Sequence, residues 1–515
     1  MKPARRPAPL PLPAILFIAS LVGLLWGCAA GASPGAGPAS SLRGASVGPA
    51  TSKGSSKGAF LAGAASRDIT PDIEHEAQPV YVGGLERGLK ASGVSDPLYA
   101  RALVMTDEAA GTSVGLVVLD LIGFFHDDVR AVREELRAAH PEIALQHLAV
   151  ASTHTHAGPD VIGLWTPLGG SVDAAYIARV RHEAVEAVAE AWRARRPAEM
   201  FVGLGTAPGL AKDTRLPEVI DDAVLTLGLR APKGGPGIAT LINWNSHPSV
   251  SGGENSKLSA DYPWAVVRRA QAEWGGVALF ASGDLGGQIG SGRVKMKDPA
   301  TGTAPEDRMR RAELLGDRIA EIAMESLREA ARRVQPARPR LRAFSRELWI
   351  PMDNARFAEG LGIGLIRPRR LYPPAGGGDG LLPSELTDRS TLRPGNYTLR
   401  SEAAVIDLGP AVLAMIPGEL YPELALGRIQ DPQDPGADFQ GAPREPALRA
   451  LVSRPLFLIG LANDELGYLI PRSQWDSEPP YAYGRDESQY GERNSVGPMA
   501  APLVMEALRD LLSTL

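Results

Sequence analysis

The chain has 515 residues, a formal net charge of −5, 44 % hydrophobic residues and one cysteine. Its arginines are spread along predicted helices and not massed on one face, which argues against nucleic acid as a partner. A lone cysteine forms no intrachain disulfide, so the fold must rest on a large hydrophobic core, and a chain of this length can supply one.

Residues 1–28 read as an export signal: Lys2, Arg5 and Arg6 precede an apolar stretch over 14–26 that is too short to span a bilayer comfortably. The closing Leu25-Trp26-Gly27-Cys28 resembles the lipobox of a bacterial lipoprotein. That resemblance implies acyl chains on Cys28 and a membrane-anchored protein of the bacterial cell envelope, on the outer membrane or cell surface. Residues 29–58 are mostly Ala, Gly, Ser and Pro, a composition that buries no core and reads as a flexible tether. No second linker of this kind follows, so 59–515 is expected to form one domain, with 367–396 as a long Pro- and Gly-rich surface excursion.

The continuous apolar run over 113–124 predicts a strand covered on both faces, and the spacing of Val129, Val132 and Leu136 predicts a helix over 127–140. With a strand over 147–152 they make a strand–helix–strand unit, expected to be parallel. A helix over 173–195 carries Ile177, Val180, Ala184, Val188 and Trp192 on one stripe. Buried strands are predicted at 223–229, 238–244, 277–281, 403–408, 411–416 and 456–461, and long helices at 305–334 and 497–513. The fold class is α/β, with mixed, largely parallel sheets packed with helices and a site at strand carboxyl ends.

Those strand ends carry the chemistry. The strand over 147–152 runs into Thr153-His154-Thr155-His156-Ala157-Gly158-Pro159. Strand alternation would aim His154 and His156 at one spot, and imidazole is both the commonest metal ligand and an acid or base near neutral pH. Other strands run into Ser246-His247-Pro248, Ser282-Gly283-Asp284-Leu285-Gly286-Gly287, Pro417-Gly418-Glu419 and Asn463-Asp464. Each alone is ordinary turn chemistry; their joint order is harder to dismiss.

Taken in that order, the motifs resemble the catalytic domain of the neutral ceramidases, zinc amidohydrolases that split ceramide into sphingosine and a fatty acid. The resemblance runs over roughly 60–513 and also takes in Asp68-Ile69-Thr70-Pro71, Asp96-Pro97-Leu98-Tyr99-Ala100-Arg101-Ala102, Asp120-Leu121-Ile122-Gly123, Gly467-Tyr468 and Gln489-Tyr490-Gly491-Glu492. It implies that His154, His247, Glu419 and Tyr468 hold zinc, a nitrogen and oxygen shell that suits the metal's chemistry. It gives His156 acid/base work or a hydrogen bond to the substrate, gives Tyr490 donation to the developing oxyanion, and puts Arg215 in the active site. The implied substrate is a lipid, ceramide or another N-acyl lipid.

The chain departs from the family at one loop. The family's Gly-Asp-x-Ser-Pro aligns its serine with Gly286, and Ser282 reads as a strand-end turn residue. Water activated by zinc is therefore the expected nucleophile. The two glycines are also expected to open space beside the metal for a bulkier substrate. The family's further β-rich domain has no expected counterpart after Leu515. Two other readings stay open: a zinc hydrolase of the same fold acting on a different envelope amide or ester, and a binding lipoprotein that kept the fold without catalysis.

Overall fold

The computed structural model describes residues 58–515 apart from 77, 85, 254, 291, 293–295 and 334–338, so the expected signal, Cys28 and nearly all of the tether lie outside the described residues. Apolar runs become paired strands where the sequence places them. Thr112–Leu119 lies parallel to His147–Ser152, and the helix His126–Ala139 connects them. Tyr99–Asp107 and Phe60–Asp68 extend that sheet in antiparallel fashion, with Arg196–Pro197 at its far edge. A second sheet pairs Val277–Ser282 in parallel with Gly237–Trp244, then adds Ala223–Arg230 and Glu199–Thr206 antiparallel. A third pairs Val412–Met415 in parallel with Leu456–Ile459, then adds Thr398–Asp407 and Arg342–Pro351 antiparallel.

The class is α/β with mixed sheets, but "largely parallel" overstates the pairing: each large sheet has one parallel pair, at an edge, and the rest is antiparallel. A continuous apolar run reports burial on both faces and is silent about strand direction. The strands Phe60–Asp68, Tyr99–Asp107, Glu199–Thr206 and Arg342–Pro351 and the helix Tyr262–Trp274 escape the sequence reading. Arg342–Pro351 shows why, since only Ala343, Leu348 and Ile350 are buried and the polar Ser345, Arg346 and Glu347 stand between them, so it forms no apolar block.

The inner faces of the three sheets share one core, in which Leu103 and Ala149 meet Leu227, Leu241 and Leu279 and also Ile406, Leu413 and Phe457. Fully burying each such side chain stabilises the fold by about 1.5–3 kcal/mol, which is how a chain without disulfides holds together. Helices cover the other faces. Asp173 caps Ala174–Arg193 by accepting from the amides of Ala175 and Tyr176, and Ile177, Val180, Ala184 and Val188 are buried as their spacing predicts. Tyr262–Trp274 and Arg308–Arg333 pack against Ile242 and Phe280 of the second sheet. The excursion over 367–396 is pinned by the bridges Leu371–Leu381 and Tyr372–Thr398 and by Arg369, buried in an ion pair with Asp464. Among the described residues no helix is long and apolar enough to cross a membrane.

The three parallel edges converge at their carboxyl ends. Ala151 bridges Ala462, the Gly460 amide donates to Ser282 O at 2.8 Å, and Ser282 Oγ donates to Thr153 O at 2.7 Å. Asn243 Nδ2 donates to both Ala281 O and Leu458 O, tying the second sheet to the third. Every chemically loaded strand end therefore opens into one place.

Candidate metal centre

Each ligand-type side chain reaches that place by its own local route. Ser152 ends its strand, and His154 turns the chain with φ of +66°, a left-handed conformation that costs an ordinary side chain on the order of 1–3 kcal/mol. Strand alternation thus does not carry His156 to the side of His154. The chain is held there by His154 N donating to Leu121 O and His156 N donating to Pro248 O, at 2.9 and 2.8 Å. The two rings end 4.8 Å apart, edge to face, and the His247 ring lies 4.9 Å from His154 and 5.4 Å from His156. Glu419 and Tyr468 are register partners in a short parallel ladder, Glu419–Leu420 against Tyr468–Leu469, which sets carboxylate and phenol side by side.

The three imidazoles are oriented alike. Nδ1 of His154 faces Ile122 O at 2.6 Å, Nδ1 of His156 faces Gly84 O at 2.9 Å, and Nδ1 of His247 faces Gln288 O at 3.2 Å. A carbonyl accepts only, so each Nδ1 carries the proton and each Nε2 offers a lone pair, the arrangement typical of metal-binding histidines. The ligand atoms of the three histidines lie within 4.8 Å of one another. Glu419 Oε2 is 2.8 Å from His247 Nε2 and 3.4 Å from His154 Nε2, and Tyr468 Oη is 3.2 Å from His247 Nε2.

This donor set fits a zinc ion. Two ligands each ~2.0–2.1 Å from a tetrahedral zinc stand ~3.3 Å apart, close to most of these spacings. His156 Nε2 is buried with no hydrogen-bond partner, as expected of an atom that faces a bound group. Sequence reasoning kept His156 outside the ligand set; the structure places a ring nitrogen of it within 4.8 Å of those of His154 and His247, so it is a third imidazole that could hold the ion.

The electrostatics suit a cation as well. Burial, then the neighbouring His154 and His247, pushes the His156 pKa well down, and burial outweighs Glu419 in lowering that of His247. Both shifts favour the neutral ring, the form that coordinates metal. Burial pushes the Glu419 carboxyl up, but His154 and His247 outweigh it and hold the group below the usual carboxylate range. Burial and the Glu419 charge push the Tyr468 phenol well up, a pressure that a cation reverses.

The remaining expected site residues fall at different distances from the cluster. Tyr490 is half-exposed and packs edge-on against Tyr468 with ring centroids 5.8 Å apart, at the mouth of the site. Arg215 is buried behind it: its guanidinium pairs with Glu492 at 2.8 Å, donates to Gln474 O at 2.6 Å and lies over the Tyr421 ring. Tyr421 in turn lies 5.6 Å from Tyr468, so the described contacts link Arg215 to the cluster through an aromatic layer. Ser282 is wholly buried with its hydroxyl given to Thr153 O, in keeping with a strand-end residue.

The expected extra space at Gly286 and Gly287 is absent. A Cβ on Gly286 would meet Glu419 O at 2.7 Å and Leu420 C and O at 2.8 Å, and one on Gly287 would meet Asp213 Oδ1 at 2.5 Å. The loop is filled by the backbone that carries Glu419, and Gly286 lets the two segments touch. Gly286→Ser should therefore displace Glu419 and lower stability by about 1–3 kcal/mol, the usual cost of overpacking. Thermal unfolding with and without added zinc checks this, and an unchanged midpoint and zinc shift would contradict it. Sequence reasoning also missed the three carbonyl acceptors at Gly84, Ile122 and Gln288. Only Gly84 left a signal, as a glycine: its φ is +99° and a Cβ there would lie 2.6 Å from His156, so glycine is required at 84 for the close approach.

No protein-family model matches the chain, and no curated protein matches it by sequence. Its structure is similar to that of neutral ceramidase from Pseudomonas aeruginosa, with a TM-score of 0.65 and 19 % identity over 89 % of this chain and 74 % of that one. The fold is that of neutral ceramidase. A ceramidase complexed with C2 is similar as well, with a TM-score of 0.64 and 17 % identity over 88 % of this chain and 75 % of that one. The likeness bears out the resemblance drawn from the motifs and is one of fold. What the centre does rests on its residues.

Proposed function

We propose that the protein is a zinc-dependent amidohydrolase acting on ceramide or a related N-acyl lipid. The observation that carries this reading is the convergence of His154, His156 and His247 Nε2 with Glu419 and Tyr468 at the joined strand ends of a ceramidase fold. Zinc bound there supplies Lewis acidity, which lowers the pKa of water toward ~7 and polarises a carbonyl. Hydrolysis adds hydroxyl to the acyl carbon and a proton to the departing nitrogen, giving a fatty acid and a free amine.

The chain's own groups divide that work. His156 Nε2 has no partner while Nδ1–H is committed to Gly84 O, so the ring is set to accept a proton from water and pass it to the leaving amine. The Tyr490 hydroxyl donates to the charge developing on the carbonyl oxygen. The carbonyls of Ile122, Gly84 and Gln288 hold the imidazoles in register, and Arg215, through Tyr421, supports the ring of Tyr468. Outside the described residues, acyl chains on Cys28 would hold the enzyme at the envelope membrane where such lipids lie; a Cys28→Ala protein that fractionates with membranes like the parent would refute that part.

The test is turnover of a panel of N-acyl lipids and other acylated amines by signal-free protein with zinc added back. Release of fatty acid from ceramide-type amides supports the reading. Turnover confined to non-lipid amides or esters favours the alternative of a same-fold hydrolase with another envelope substrate, for which the absent family serine at Gly286 speaks. No turnover of any member would leave only the non-catalytic reading.

A further inference from the structure

The loop that follows Asp213 is built with unusual firmness for a surface segment. The buried Asp213 carboxylate accepts from the amides of Arg215 and Val219 at 2.9 and 2.8 Å, and the Thr214 amide and hydroxyl both donate to Gly287 O. The next residue, Leu216, has its amide donating to Gln489 Oε1 at 2.8 Å and its carbonyl accepting from Gln489 Nε2 at 3.0 Å. Gln489 is itself buried, so a side chain shut away from water gives both halves of its amide to one exposed leucine. The clamp holds the backbone on which the exposed leucine side chain stands.

What is held outward is apolar. Leu216 is 42 % exposed, and Tyr490, the residue after the clamping glutamine, is 49 % exposed. A single exposed leucine is ordinary. One whose backbone is bonded to the residue before Tyr490 stands in a particular place, because Tyr490 packs on Tyr468 and Tyr468 touches His247. Folding alone would be served better by a polar residue at 216, which would lose nothing in water and keep the same backbone hydrogen bonds.

We propose that Leu216 is a specificity-determining residue, which with the face of Tyr490 receives a hydrocarbon chain of the substrate as it leaves the reacting centre. This rests on the hydrolase reading for the identity of the substrate, but the contact itself does not require turnover. Each methylene fully taken out of water strengthens binding about fourfold, so a few carbons against this lip set a clear preference for long chains. The chain can be the acyl chain or that of the amine; the chemistry recognised is the same.

Calorimetric binding of decanoate and butanoate, and of decylamine and butylamine, to the zinc-loaded protein tests it, since the head group cancels in each long-to-short ratio. In the parent at least one pair should show a ratio of tenfold or more. Leu216→Asp should cut that ratio at least fivefold and Leu216→Trp should preserve or raise it, while Leu204→Asp, at a 61 % exposed leucine on an outer strand of the second sheet, should leave it unchanged. The pair that responds tells which chain lies on the lip. Ratios near one in the parent, or ratios indifferent to Leu216→Asp in both pairs, would overturn the proposal. A protein that cleaves no amide yet shows the Leu216-dependent ratio would separate failure of the hydrolase reading from failure of this one.

Discussion

His154→Ala and His247→Ala should each release the metal and abolish turnover together. Each imidazole is buried, locked by an Nδ1–H bond to a backbone carbonyl, and presents one of only a few strong donors. Removing one of them leaves the other two imidazoles, Glu419 and the Tyr468 phenol to hold a dication in a site shaped for one more strong donor, and zinc affinity should fall by more than ~10²-fold. Without Lewis acidity worth several kcal/mol, the rate should drop on the order of 10³-fold or more. Thermal unfolding measured with and without zinc gives the second readout: the parent midpoint rises with added metal, and that of either variant should not. A variant that keeps stoichiometric zinc but loses activity would show that the imidazole serves catalysis and not coordination.

A second contrast separates activated water from a serine nucleophile. His156→Ala and Tyr490→Phe should each lower the rate by about 10²–10³, the usual loss on removing a general base or an oxyanion donor. Ser282→Ala should leave turnover within a few-fold and lower stability by about 1 kcal/mol, because its hydroxyl is spent on Thr153 O, where it joins two sheet edges. No acyl-enzyme should accumulate in a burst. A trapped acyl-serine, or loss of turnover in Ser282→Ala with zinc still bound, would overturn the water mechanism. His156 requires one further check, because its Nε2 lies close enough to the other histidines to be a ligand. His156→Ala protein that loses zinc would move this residue from proton transfer to coordination.

Much of this centre was legible because its side chains sit at the ends of apolar strands. The runs ending near His154, His247 and Glu419 are buried on both faces and bounded by Gly and Pro, so both the strands and the exit points could be read from composition. Three things could not. Strand direction is absent from an apolar run, so the antiparallel majority of each sheet went unseen. Half-exposed strands such as Arg342–Pro351 carry the alternation of a sheet face interrupted by charges and form no block. The atoms that orient the histidines are backbone carbonyls of Gly84, Ile122 and Gln288, and a carbonyl belongs to every residue alike. The expectation about His154 and His156 reached the right place by the wrong route, since the turn at His154 and not strand alternation sets the rings together. Gly286 shows the opposite failure: an absent side chain suggested room, and the neighbouring Glu419–Leu420 backbone already occupies it.

The most direct test of the central claim is the metal itself, by elemental analysis of purified protein together with X-ray absorption at the metal edge. The account predicts one zinc per chain in a shell of nitrogen and oxygen with an imidazole signature and no sulfur. Absence of stoichiometric metal after zinc is supplied, or a calcium ion in an all-oxygen shell, would contradict it.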